Sequence, residues 1–360
     1  MLGRICQALL SICKKQDKRK KKRAKGKEGK GDQESEELKK NQSNSIFGYT
    51  EPGAGKKKFE CQDTYSIIDL PEDHLRYYAV YDGHGNVGRQ ASLLARDYVE
   101  EQIRKNSKKL RKMKDKEMVK KFLTNTYVNC QKRYKKNQQD YWQSGTCCIA
   151  ILQLENRIYT ANIGDSRAVL CTSRQLTHAK KGGAEICAFE LSTDHKPNRQ
   201  IEKERIIKAG GKIDRDEKSQ GPYRIWADDE GPGLAVARTL GDLHGHKIGI
   251  ASEPEIEVWD VDVNDVFVVI GSDGVWDVIS SAEAVGFISK NPEDPSQMAR
   301  ILANEARERW DLFNEINRTK KKLSLEGMDE VRKKASLQKF EDNIMRDDIT
   351  VVIGYLQSIQ

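Results

Sequence analysis

The sequence predicts a layered α+β fold. Strand-like runs come in groups, helical stretches come in adjacent pairs, and the βαβα alternation of a doubly wound sheet is missing. The strands show as β-branched and aromatic runs, the helices as apolar residues at helical spacing.

In chain order, residues 1–44 form a tail. "MLGRICQALLSICKK" places Leu2, Ile5, Cys6, Leu9, Leu10 and Cys13 on one helical face. A basic low-complexity run follows, which cannot bury a core. Residues 1–40 hold 14 Lys/Arg and 6 Asp/Glu, an excess of +8 that equals the net charge of the whole 360-residue chain. The remainder is neutral, which argues against a nucleic-acid-binding domain. The apolar segment is short and lacks a small-residue cleavage site, unlike a signal peptide, and Gly3 stands one place late for myristoylation. A solvated arm, a nuclear localisation signal and a membrane-surface anchor all fit this composition. The amphipathic segment and the polybasic block together favour peripheral membrane contact through residues 1–30, with Cys6 and Cys13 as acylation candidates. No apolar run approaches the roughly 20 residues that span a bilayer. The eight cysteines show no CxxC spacing and read as reduced thiols of an intracellular, cytoplasmic protein. Monomer is the default expectation.

The globular part is expected over residues 45–360. In "KKKFECQDTYSII" a strand follows Asp63. "YYAVY" is a strand that stops at Asp82-Gly83-His84-Gly85, where the glycines free the backbone to bend. Helices are expected over 88–105 and 115–136, then a strand in "GTCCIAILQL". "RIYTANIG" and "AVLC" form a hairpin with Gly164-Asp165-Ser166 at its tip. A helix over 196–211 has Pro197 near its start and Gly210-Gly211 as its stop. "VFVVIGS" runs into Asp273-Gly274 and Asp277. A helix over 294–310 precedes a Lys- and Glu-rich, partly helical surface insertion at 311–343, and "ITVVIGYL" follows Asp347-Asp348.

Five strand ends therefore carry a carboxylate: Asp63, Asp82, Asp165, Asp273 with Asp277, and Asp347 with Asp348. Each alone reads as a turn or cap. If the strands share a sandwich, the carboxylates converge at one edge, where ionisation is disfavoured unless cations are present. A di-metal site resolves that, and all-oxygen ligands select Mg²⁺ or Mn²⁺ over zinc or copper.

At this point the chain resembles the metal-dependent protein phosphatases, protein phosphatase type 2C. The resemblance covers Phe47 to Leu356 and rests on nine motifs in the family's order: "CQDTYSI", "YAVYDGHG", "SGTCCIAIL", "ANIGDSRAVL", "LSTDHKPNRQIEKERIIKAGG", "GPGLAVARTLGD", "ASEPEI", "VVIGSDGVWDVIS" and "RDDITVVI". "RIWADDEGPGLAVARTLGD" looks most like the plant and protist branch. The resemblance implies a four-layer αββα sandwich, two antiparallel sheets flanked by helix pairs, with metals at one end. It also implies a serine/threonine phosphatase acting on phosphorylated proteins. Asp82 should bridge two ions, and the Gly83 carbonyl should bind one of them. Asp273 and Asp347 should hold the other ion, and Asp63 should reach the cluster through water. Asp165 and Asp277, with Asp273, match a weaker third position. Two-metal logic then has a hydroxide held between the ions attack phosphorus in line, without a phospho-enzyme. His84 resembles the family's general acid, with a hydrogen bond that merely orients a neighbour as the bland alternative.

The chain departs from the family pattern in places. A phosphate-gripping Arg is replaced by Lys58, within Lys56-Lys57-Lys58, and Lys binds phosphate as a point charge without the bidentate fork. Gln62 stands where many members have Glu, and Asp347-Asp348 where many have Asp-Asn, so Asp347 is assigned by order with Asp348 as the alternative. A pseudophosphatase would be expected to lose metal acids; Asp82, Asp273 and Asp347 are all present.

Overall fold

A computed structural model describes residues 46–54, 60–137, 139–173, 186–215, 221–226, 233–290, 294–326, 328–341 and 346–356. The tail of residues 1–44 and Lys56, Lys57 and Lys58 lie outside the described residues.

Eleven of the described strands build two antiparallel sheets. The first runs β1 (Ile46–Glu51), β13 (Ile349–Tyr355), β12 (Asp265–Gly271), β6 (Arg167–Thr172) and β7 (Cys187–Glu190) in spatial order. The second runs β11 (Glu255–Asp260), β5 (Arg157–Ile163), β4 (Gly145–Leu154), β3 (Leu75–His84) and β2 (Thr64–Leu70), with the two-residue β10 (Leu240–Gly241) pairing β4 beyond this path. The short β8 (Lys212–Asp214) and β9 (Arg224–Trp226) form a separate ribbon.

Three apolar clusters stack into four layers. Tyr78, Val80, Ile149, Ile151, Leu170, Val268, Ile270 and Val352 fill the space between the sheets. The opposite faces of β3 and β4, through Tyr77, Ala79, Tyr81 and Ala150, pack on α1 (Gly88–Lys112) and α2 (Lys116–Lys136). Val169, Val269, Val351 and Ile353 pack on α4 (Asp273–Trp276), α5 (Ser281–Ser289) and α6 (Pro295–Ser324). Side chains alternate between the faces of a strand. With both faces covered, every position needs an apolar or small residue. That is why "GTCCIAILQL" is a continuous apolar run, and all ten of its residues are buried.

Several boundaries differ from the sequence reading, the first helix running on to Lys112 rather than ending at Lys105. β3 does not stop at Tyr81: it stays paired with β4 through Asp82–Cys147, Gly83–Thr146 and His84–Gly145. The partner strand's length overrides the local turn signal. The helix expected from 196 begins at Gln200 and ends at Lys208 (α3), leaving His195 to Arg199 as an irregular segment. The helix expected to end at Trp310 continues to Ser324 and folds back as α7 (Glu330–Glu341), with Arg318 and Glu341 paired 3.4 Å apart between the two. Past Trp310, which donates to the Gly274 carbonyl at 2.8 Å, the helix is held by charged side chains rather than by the core.

Candidate metal centre

The acids at the strand ends meet at one edge of the sandwich. Carboxylate oxygens of Asp82, Asp165 and Asp273 lie within 4.8 Å of one another. Asp82 arrives on β3. Gly83 follows because nothing larger fits: a Cβ there would run into the backbone carbonyls of Gly88 and Gln62. Asp273 opens α4 directly after β12, and Gly274 lets the Asp348 carbonyl pass close by. Asp165 sits in the β5–β6 turn, where Gly164 takes a left-handed φ of 108°.

Packing carboxylates together without cations disfavours their charge. Burial first, and then the neighbouring acids, push Asp82 and Asp273 well above the usual carboxylate range. Asp63 is pushed to about 7 by burial and by the charges of Asp348 and Asp347. Its Oδ2 is buried and has no hydrogen-bond partner. Loss of solvent raises Asp277, and Lys196 partly offsets it. An all-oxygen set with an orphaned buried carboxylate oxygen fits a hard divalent cation.

The two aspartates before β13 do different things. Asp348 is buried and accepts from the Gly53 amide at 2.7 Å and the Gln62 amide at 2.9 Å. It ties the segment that carries Asp63 to the sheet. Asp347 is exposed, and its charge acts on Asp63, Asp82 and Asp273. Gln62 donates through Nε2 to the Gly85 carbonyl at 2.7 Å, so it secures the turn after His84.

Sequence reasoning missed Asp242. This residue is fully buried and lies 2.6 Å, through Oδ2, from His84 Nε2. The same oxygen accepts from Thr239 Oγ1 at 2.9 Å. A carboxylate only accepts, so Nε2 carries the shared proton. Burial would lower the His84 pKa; the Asp242 charge and hydrogen bond outweigh it and hold the imidazole above its ordinary value. Gln131 on α2 clamps Gly241 by both backbone groups at 2.8 Å, which places Asp242 under His84 in a left-handed conformation, φ 38°. The signal was present in "TLGD", one more Gly-Asp at the end of a short strand.

Asp165 differs from its neighbours in being satisfied within the chain. Its Oδ2 accepts from Lys196 Nζ at 2.5 Å, and its Oδ1 faces the Cys147 thiol at 3.4 Å. His195 secures this turn: its backbone N–H donates to the Gly164 carbonyl at 2.9 Å, and its Nδ1 accepts from the Gly164 amide at 3.0 Å. A second close group, His195, Glu202 and Glu255, is neutralised by Arg199, Arg205 and Arg238.

The family described as Protein phosphatase 2C matches residues 51–310. A rice relative, Probable protein phosphatase 2C 48 of Oryza sativa subsp. japonica, is 37% identical over 164 residues, 45% of this chain and 46% of its own length. The Integrin-linked kinase-associated serine/threonine phosphatase 2C of Bos taurus is 28% identical over 309 residues, 81% of this chain and 78% of its own. The chain spans about half the length of curated plant relatives it matches, Probable protein phosphatase 2C 48 of rice and Probable protein phosphatase 2C 73 of Arabidopsis thaliana among them. The serine-threonine phosphatase 2C from Toxoplasma gondii has the same fold, with a TM-score of 0.64 at 18% identity over 88% of this chain and 95% of that one. A C. elegans sex determining protein gives a TM-score of 0.63 at 19% identity, over 88% of this chain and 65% of that one. The family match ends before β13, yet β13 lies between β1 and β12 in its sheet.

Proposed function

Because the chain belongs to the protein phosphatase 2C family, we propose that it is a Mg²⁺- or Mn²⁺-dependent serine/threonine phosphatase acting on phosphorylated proteins. The observation that carries this reading is the meeting of buried Asp165 with half-buried Asp82 and Asp273 at one sandwich edge, with His84 beside it on the same strand as Asp82. Asp82, the Gly83 carbonyl, Asp273 and Asp347 would hold two ions, with Asp63 behind them and Asp165 and Asp277 at a third position. When bound, such ions supply charge stabilisation for the phosphoryl group and acidify a water nucleophile.

The chain's own residues do the rest. The Asp82 and Asp273 side chains make no hydrogen bond to another side chain among the described residues, so their oxygens remain available for ligation. Asp242 holds the His84 ring through Nε2, which leaves Nδ1 as the nitrogen that gives a proton to the departing serine or threonine oxygen. Gln62 and Asp348 hold the Asp63 segment and the Gly85 turn against the sheet. Lys58 remains a candidate for gripping substrate phosphate, and residues 1–30 for peripheral membrane contact.

The test is phosphate release from a phosphothreonine peptide by the full chain, with Mn²⁺ and with EDTA. Release should require the metal. Absence of metal-dependent release from folded protein would refute the proposal.

A further inference from the structure

We propose that Lys196 is a built-in counter-ion that occupies the third cation position, at Asp165, Asp273 and Asp277, and that a divalent ion binds there only by displacing it. The proposal rests on the reading of this edge as a metal centre.

The acids of the edge are not equivalent. Asp82 and Asp273 make no side-chain hydrogen bond among the described residues. Asp165 has both oxygens engaged, one with the Lys196 ammonium at 2.5 Å and one with the Cys147 thiol at 3.4 Å. Only 4% of the Asp165 side chain is exposed, against 34% for Lys196, so the pair is sheltered on the acid's side and open on the cation's side. A divalent ion sits about 2.0–2.1 Å from a carboxylate oxygen in the Mg²⁺ geometry. It cannot share Oδ2 with an ammonium already in contact with it, because two cations would then be in near contact.

The ammonium is also held in place. The backbone of His195, one residue earlier, and its Nδ1 are both hydrogen-bonded to Gly164, one residue before Asp165. His195 Nε2 is anchored 3.1 Å from Glu255, which two Arg199 nitrogens grip in turn. The stem of Lys196 therefore starts from a fixed point beside the turn that carries its partner. The Lys196 charge also acts on Asp273 and Asp277. One cation thus contacts Asp165 and acts, through its charge, on the other two acids assigned to the third position. Because the chain supplies it, the Asp165 corner of that position is charge-compensated without metal, whereas Asp82 and Asp273 have no cation in contact among the described residues.

Lys196→Met in the full chain keeps the length of the stem and removes the charge. Mn²⁺ binding is read by calorimetry and by the electron paramagnetic resonance of free Mn²⁺. In the wild type two ions should bind tightly and a third weakly. In Lys196→Met the third should tighten at least about tenfold, the weight of one charge-assisted hydrogen bond, with the first two little changed. Lys196→Arg, which keeps the charge, should resemble the wild type. Two tight ions in both proteins with unchanged or weaker third binding in Lys196→Met would overturn the proposal alone. No bound Mn²⁺ in the wild type would overturn the metal reading beneath it. A metal-free arm stands apart from both: in EDTA, the urea midpoints of Lys196→Met, Asp165→Asn and the double variant should show the two losses to be non-additive. Strict additivity would mean that the ammonium is not a counter-ion of Asp165.

Discussion

Metal-free protein should be more stable at pH 5 than at pH 8. Asp63 supplies the magnitude. It is 2% exposed, and its folded pKa is about 7, against about 3.9 in an unfolded chain. Between these values the folded state binds a proton that the unfolded state does not. Stability therefore rises as pH falls through 7, and the gain levels off below about 4. Two units, from 7 to 5, at about 1.4 kcal/mol each give about 3 kcal/mol from this residue. Asp82 and Asp273 are raised for the same reason and add in the same direction. His84 does too, since a raised imidazole contributes stability that is lost as pH rises through its folded pKa. His195 and His246 oppose this, since burial holds both rings below the usual imidazole value and their contribution is lost as pH falls through about 6.5; among the carboxylates, Glu255 is held far below the usual range by His195 and Arg199, and Glu283 at about 2 by Ser280 and Arg309. The contributions of these two glutamates are present above the unfolded glutamate value, near 4.3, and so survive at pH 5. Urea unfolding followed by tryptophan fluorescence, at pH 5 and pH 8 in EDTA, measures the difference. Saturating Mn²⁺ favours ionised carboxylates and should flatten or reverse it. Equal or lower metal-free stability at pH 5 would show that the acids at this edge are not desolvated together, and the argument for a cation would lose its physical basis.

Three further outcomes follow from the same geometry. Asp242→Asn should lower kcat on a phosphothreonine peptide by about 10²-fold, the low end for general acid catalysis, and barely affect p-nitrophenyl phosphate, whose leaving group needs no proton; equal losses in steady-state assays would make Asp242 merely structural. Gly83→Ala should cost about 1–3 kcal/mol in urea unfolding, because the new methyl meets two backbone carbonyls; wild-type stability would contradict their close approach. Asp348→Ala should cost about 2 kcal/mol by leaving the Gly53 and Gln62 amides unpaired, whereas Asp347→Asn should leave stability nearly unchanged and weaken Mn²⁺ binding in calorimetry; the opposite pattern would exchange their roles.

Much of the fold is legible in the sequence because it is written locally. A strand covered on both faces needs apolar residues throughout, so "GTCCIAILQL", "VFVVIGS" and "ITVVIGYL" stand out, and their acidic ends follow. The short strands are less visible. β11 is half-buried at a sheet edge and reads as "EIEVWD", a pattern too polar to stand out. The end of β3 is illegible for a different reason. Asp-Gly-His-Gly favours a turn, and only the length of β4, some sixty residues later, keeps Asp82, Gly83 and His84 extended.

The same division separates the acids from their partners. Which residues carry charge to the edge is a property of each strand end. Which of them stay uncompensated depends on what the rest of the chain lays against them. Asp347 and Asp348 are neighbours of identical chemistry, yet one faces solvent and the acidic cluster while the other caps two amides nearly 300 residues away in the chain. Asp165 looks like Asp82 and Asp273 until Lys196 is brought beside it by the anchoring of His195. His84 looks like a lone imidazole until β10 delivers Asp242 beneath it. In each case the assignment depends on a pairing distant in sequence, and it is those pairings that turn a list of aspartates into one edge with an uncompensated acidic side, a corner compensated by Lys196 and an imidazole held by Asp242.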